Sequence, residues 1–215
     1  MDSKPYQYII TGIGTDVGKT VVSAIFAQAL NATYWKPVQA GDLDNSDSIK
    51  VNNWTDEEVN VLHEAYRLTE PMSPHAAATI DGLKIDEDSI CFPDVHGNLI
   101  VEGAGGLLVP VNNDGLLYAD LFKKWGLPVI VVSRHYLGSI NHTLLTLEVL
   151  KSRGIPVEGI VFVGAENKAT ESIILNVTGV KMITRIPITD ELGTAFIQTE
   201  ARKLRDTYFY EQINS

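Results

Sequence analysis

The stretch Gly12-Ile13-Gly14-Thr15-Asp16-Val17-Gly18-Lys19-Thr20 follows the apolar run Tyr8-Ile9-Ile10-Thr11 and leads into Val21-Val22-Ser23-Ala24-Ile25-Phe26-Ala27. It therefore predicts a buried strand, a glycine loop and a helix start in one continuous segment. A helix N-terminus carries unpaired N–H groups and partial positive charge, and glycines let that backbone wrap closely round phosphate oxygens. In this pattern Lys19 reaches the β- and γ-phosphates of a nucleotide triphosphate, and the Thr20 hydroxyl binds Mg²⁺. The loop is irregular: Gly12 and Gly18 enclose one residue more than the usual phosphate loop, and Ile13 holds the expected glycine position. Asp16 repels phosphate unless it has another task, such as holding a cationic substrate group or a second metal. Asp16 is expected to be buried in the loop.

Apolar runs with strand character recur at 8–11, 33–38, 98–101, 128–133, 157–163 and 181–186. Between them, helical spacing is clearest at 21–30, 56–68, 141–153, 170–177 and 191–204. Strands alternating with helices imply right-handed crossovers and a parallel sheet. The near-continuous apolar strands Val129-Ile130-Val131-Val132 and Ile160-Val161-Phe162-Val163 fit strands covered on both faces. The expected fold is a single-domain α/β P-loop NTPase, Rossmann-like, with a mainly parallel sheet, spanning 1–215. Nothing in the composition marks a linker or an internal repeat.

Charge narrows the partners. Seventeen Lys+Arg against 27 Asp+Glu give a net charge of −10 with no basic run, so a nucleic-acid footprint is not expected. The single cysteine, Cys91, excludes an intrachain disulfide and fits a reducing cytosol; it is expected to be a small, at least half-buried residue. No stretch approaches a transmembrane length and the N-terminus lacks a leader pattern, so a cytoplasmic protein without a membrane partner is expected.

Ligands of such sheets gather at the carboxyl ends of strands, which directs attention to four polar stations. Lys36 in Trp35-Lys36-Pro37-Val38 belongs in the site rather than at the surface, given its place at a strand end. Asp47 in Asn45-Ser46-Asp47 starts a weakly helical segment, where a capping role is the commoner one. Glu102 ends the third core strand before Gly103-Ala104-Gly105-Gly106, and a carboxylate there is costly unless paired or metal-bound. Thr20, Asp47 and Glu102 together supply three oxygen ligands for Mg²⁺. Around Leu137-Gly138-Ser139-Ile140-Asn141, Gly138 and Ser139 suit a tight helix entry and cap, a second anion-binding terminus on the same sheet edge. His142 reads as a packed or surface residue, and Glu57, Glu58 and Glu64 as a solvated helix face.

The ordered set Gly14 to Thr20, Lys36-Pro37-Val38-Gln39, Asn45-Ser46-Asp47, Pro71-Met72-Ser73-Pro74-His75, Val101 to Gly106 and Leu137 to His142 resembles dethiobiotin synthetase. The resemblance implies an ATP- and Mg²⁺-dependent cyclo-ligase of biotin synthesis, closing 7,8-diaminopelargonate and CO₂ into dethiobiotin. An amine captures CO₂ as a carbamate, the carbamate oxygen attacks the γ-phosphate, and the second amine attacks the mixed anhydride, releasing phosphate beside ADP. It further implies that Lys36 and Lys19 flank the carbamate and transferring phosphoryl, with Thr20, Asp47 and Glu102 on the metal. Asp16, Val17, Gly18, Val21, Ile186 and Pro187 complete the nucleotide set. Thr15, Ala40, Gly105, Leu137, Gly138, Ser139 and Asn141 complete the substrate set, the last four supplied by the partner of a homodimer. Pro74 and His75 are expected to shape a loop before a helix.

Two departures from the family pattern stand out. Ala40 replaces the Ser or Thr of many relatives, so one hydrogen bond worth about 0.5–1.5 kcal/mol is lost or is replaced by water or backbone. Val163 stands where relatives often carry an adenine-reading Asn, which leaves the base to backbone near Ile186-Pro187 or Glu166-Asn167, or to looser selection. A rival reading is a nucleotide-switched ATPase of the partitioning or metallochaperone type; a glutaminase-coupled relative would need a cysteine nucleophile that Cys91 does not resemble.

Overall fold

The computed structural model describes residues 4–210 of the 215. In chain order the elements are β1 (Gln7–Gly12), α1 (Lys19–Leu30), β2 (Thr33–Trp35), β3 (Val38–Ala40), α2 (Asp47–Trp54), β4 (Tyr66–Leu68) and α3 (Pro74–Ile80). The second half contributes β5 (Leu99–Gly106), α4 (Tyr118–Trp125), β6 (Val129–Arg134), α5 (Ser139–Ser152), β7 (Val157–Val163), α6 (Lys168–Thr178), β8 (Met182–Ile186) and α7 (Thr194–Leu204). Six strands form one sheet in the order β2-β5-β1-β6-β7-β8, and every recorded pair in it is parallel. The helices flank this sheet, with α1 packed on α7 and α5 on α6. Val129 to Val132 and Ile160 to Phe162 have no exposed surface, as strands covered on both faces require.

Strand β1 lies between β5 and β6. The chain therefore reaches outward from β1 in both directions, and the crevice at the carboxyl ends of these strands is the topological switch point where ligands bind. It is here that β1 delivers the glycine loop, β2 delivers Lys36 and β5 delivers Glu102.

Several sequence expectations need correction. No helix covers 56–68: that segment pairs with the edge of β2, where the Tyr34 N–H donates to the Asn60 carbonyl at 2.8 Å and Leu62 N–H to the Tyr34 carbonyl at 2.9 Å. Tertiary backbone pairing overrides its helical spacing, and the helix forms earlier as α2, where the Ser46 hydroxyl accepts from Ile49 N–H at the N-terminus. The single strand expected at 33–38 is broken by Pro37, which has no N–H to give; its carbonyl instead accepts from Ala65 and Tyr66. The second piece, β3, joins β4 in a separate parallel pair. Strand β5 continues past Val101 to Gly106, so Glu102 lies inside it rather than at its end. Glu64 is no solvated helix residue: its side chain is 2% exposed and pairs with Arg67 at 3.1 Å. Cys91 is exposed.

Candidate active site

The phosphate loop is held shut by close packing. A Cβ on Gly12 would lie 2.6 Å from Val17 Cγ2, and Val17 itself is 2% exposed, so the loop wraps round a buried valine that tolerates no side chain at residue 12. Gly18 precedes α1 with φ of 96°, a left-handed conformation suited to glycine. The Lys19 ammonium folds back to the Gly14 carbonyl at 2.9 Å, and burial, outweighing the pull of Glu102, pushes its pKa down to about 8. Asp16 departs from expectation: it is exposed, with φ of 57°, and its carbonyl accepts from Arg134 at 3.1 Å. With this left-handed backbone the Asp16 side chain lies exposed at the edge of the cleft.

Facing this loop is a compact ionic cluster. Glu102 has no exposed surface. Its Oε1 accepts from Thr20 Oγ1 at 2.9 Å and from Lys36 Nζ at 3.1 Å, while Oε2 accepts from the Tyr34 hydroxyl at 2.9 Å. Lys36 Nζ also donates to Asp47 Oδ2. Burial is the largest influence on Lys36 and lowers its pKa, but Glu102 and Asp47 together outweigh it and hold the ammonium above its ordinary value. For Asp47, burial raises the pKa, and the charge and hydrogen bond of Lys36, together with Thr20 and Lys50, more than reverse this. Asp47 is not the cap of α2, since Ser46 takes that task and frees the carboxylate to face Lys36.

A cavity of about 700 Å³ opens over these groups, lined among others by Thr15, Asp16, Gly18, Lys19, Thr20, Val21, Lys36, Ala40, Asp47, Glu102 and Gly105. A second, smaller cavity of about 160 Å³ shares Asp16, Gly18, Val21 and Leu192 with it and is otherwise lined by residues that include Arg134, Val163, Ile186, Pro187, Ile188, Thr189 and Phe196. One space therefore suits phosphates and a polar substrate, and the adjoining one suits a flat apolar-faced group. Ile186 and Pro187 line the second cavity, whereas Glu166 and Asn167 do not.

The structure does not bring Leu137, Gly138, Ser139 and Asn141 to this cleft within one chain. They form the start of α5, where Leu137 is fully exposed, Ser139 is buried, and Gly138 rather than Ser139 holds the cap position with φ of 101°. His142 is exposed, its Nδ1 bonded to the Tyr136 hydroxyl at 2.7 Å. Sequence reasoning missed Gln39, Lys50, Trp54 and Leu192 as cleft residues, and Tyr34 beneath it. Tyr34 carried one signal, since strand alternation puts it on the same side as Lys36 two residues on.

A phosphate loop on the inner strand of a parallel sheet, with a hydroxyl and two carboxylates at its mouth, defines a P-loop nucleotide-binding protein. A family model described as an AAA domain matches residues 6–195. The fold resembles the crystal structure of a ParA family ATPase from Chlorobium tepidum TLS, with a TM-score of 0.60 at 13% identity, covering 97% of this chain and 100% of that one. At that identity the likeness speaks for the fold alone. The chain is 55% identical over 202 residues to the ATP-dependent dethiobiotin synthetase of Christiangramia forsetii, covering 94% of this chain and 97% of the relative. It is 49% identical over 194 residues to that of Rhodopseudomonas palustris strain BisB5, covering 87% and 91%. The chain belongs to the ATP-dependent dethiobiotin synthetase family.

Proposed function

We propose that this chain, acting as one P-loop domain in the cytoplasm, closes 7,8-diaminopelargonate and CO₂ into dethiobiotin, coupled to cleavage of ATP to ADP and phosphate. The carrying observation is the Lys36 ammonium, buried between Asp47 and Glu102 and one carboxylate away from Thr20 of the phosphate loop. The substrate brings both nucleophiles, so the protein has to orient them and neutralise the charge that develops.

The phosphate-loop backbone and Lys19 hold the triphosphate, whose charge favours the protonated form of a lysine that burial has made easy to deprotonate. The base enters the cavity beside Val163, Ile186 and Pro187. One amine of the diamine takes up CO₂ and loses a proton, giving a carbamate. Lys36 and Lys19 flank the carbamate oxygen as it bonds to the γ-phosphorus and the bond to ADP breaks. The second amine then attacks the carbamoyl carbon, phosphate leaves, and the ring is closed. Thr15, Ala40 and Gly105 line the substrate side of the cleft.

A hydroxyl and two carboxylates form an oxygen donor set suited to Mg²⁺, which commonly takes one or two carboxylates with phosphate oxygens and water. Thr20, Asp47 and Glu102 would hold the ion, and Lys36 pairs with both carboxylates. The ion's chemistry is neutralisation of phosphate charge. The homodimer reading is supported by the exposed apolar residues Leu137 and Ile140 at the start of α5, which suit contact with a second copy that lends its Gly138, Ser139 and Asn141 to the substrate tail.

Incubation with ATP, the diamine and ¹³C-bicarbonate should yield a cyclic urea carrying one labelled carbon by mass spectrometry. An unlabelled diamine recovered intact would reject the reading.

A further inference from the structure

We propose that Tyr34 is a positioning residue for Glu102: its phenol occupies Oε2 and leaves Oε1 as the one oxygen presented to Thr20, Lys36 and a bound cation. The proposal rests on the reading of Glu102 as a metal ligand.

Tyr34 is fully buried, and its backbone is pinned on both sides. It pairs with Ile100 of β5 on one edge, while its N–H and carbonyl bond to Asn60 and Leu62 on the other. A phenylalanine would fill the same core volume, so what the tyrosine adds is the hydroxyl. That hydroxyl has a partner at 2.9 Å in Glu102 Oε2, 68 residues away in sequence and on the neighbouring strand. A phenol is protonated at neutral pH, so at this distance from a carboxylate oxygen it stands as the donor.

The geometry at Glu102 is then complete. Its side chain has no exposure, so in this arrangement its oxygens are met by protein donors alone. Oε2 takes the phenol, and Oε1 takes the Thr20 hydroxyl and the Lys36 ammonium. A carboxylate with one oxygen engaged by a buried donor is held against rotation, which favours a single-oxygen grip over a bidentate one. It offers a single oxygen in a set direction, as partners behind metal ligands commonly arrange.

The test is Tyr34→Phe in the full chain, with Mn²⁺ affinity measured by electron paramagnetic resonance in the presence of a non-hydrolysable ATP analogue. The expected result is a loss of about ten-fold or more in Mn²⁺ affinity, in the range seen when such supporting partners are removed, with kcat reduced and the KM for the diamine little changed. Wild-type Mn²⁺ affinity in a variant whose melting temperature has fallen would reduce the hydroxyl to a structural role and overturn the proposal. In a Glu102→Gln background the effect of Tyr34→Phe should vanish; the same fold-loss there would also overturn it. If Glu102→Gln alone leaves Mn²⁺ affinity unchanged, the metal-ligand reading fails and this proposal with it. Loss in Glu102→Gln without loss in Tyr34→Phe rejects the Tyr34 role alone.

Discussion

Replacing Lys36 by Met keeps most of the side-chain volume and removes the charge that separates two carboxylates. The Lys36 side chain is 5% exposed, Glu102 is 0% exposed and Asp47 is 21% exposed, so water reaches only one end of the cluster. Removing one partner of a buried ion pair costs about 3–5 kcal/mol. The partial exposure of Asp47 favours the lower end, about 3 kcal/mol. An escape route sets a similar ceiling: a carboxylic acid that titrates at 7 instead of about 4 costs roughly 4 kcal/mol at neutral pH. For a chain of this size that converts to a melting temperature about 6–12 °C lower. The pH dependence follows from Asp47, which Lys36 holds below its ordinary pKa. A depressed carboxyl contributes stability above its unfolded pKa and loses it as pH falls through the folded one, so the gap between wild type and variant should be full at pH 7 and close in acid. Calorimetric melts at pH 7 and below pH 4 measure it, alongside ring closure, which should be lost, and ATP binding, which should largely survive. An unchanged melting temperature with intact ring closure, or a gap that widens in acid, would refute the reasoning.

Removing the Tyr34 hydroxyl should weaken Mn²⁺ binding as set out above. At the base end, Val163, Ile186, Pro187 and Ile188 give shape without side-chain hydrogen bonds, while Asp16, Arg134 and Thr189 also line the cavity; if shape alone selects the base, wild type should prefer ATP over GTP by less than about 10²-fold in kcat/KM, against the roughly 10⁴-fold of a hydrogen-bonding site. Val163→Asn should widen that preference, and a wild-type ratio at the higher figure would show that backbone groups or the polar side chains of this lining read the base. Since Lys19 is pushed down to about 8, ATP binding at pH 8.5 should take up more than about half a proton, measured by titration calorimetry in buffers of different ionisation enthalpy. Release of protons, or none moved, would place the lysine away from the phosphates.

The segment from β1 to α1 was legible because Gly12, Gly18 and Lys19 stand between an apolar strand run and a helical run, each with its own physical reason. Strands β6 and β7 were legible as continuous Val and Ile, which only a sheet covered on both faces accommodates. The turn of chain at 56–68 was not, because the backbone groups of Tyr34 and Pro37 that claim it lie far back in the sequence, and no local pattern marks them. At the site, Lys36 and Glu102 announced themselves as charges in apolar runs, and Asp47 followed as a third oxygen donor. Tyr34 did not, since a tyrosine in a strand reads as core until its hydroxyl's partner is known. Asp16 was misplaced because its exposure goes with a left-handed backbone conformation that residue polarity does not reveal. Leu192 and Phe196 of the base cavity come from α7 and the loop before it, which only the completed sheet brings round to Gly18.

Phosphate release from ATP, followed with the diamine and bicarbonate added singly and then together, tests the coupling at the centre of this account. Rapid, sustained release is predicted only when both are present, in step with formation of the cyclic urea. Release that ignores the diamine, or that appears only when a protein partner is added, would contradict it.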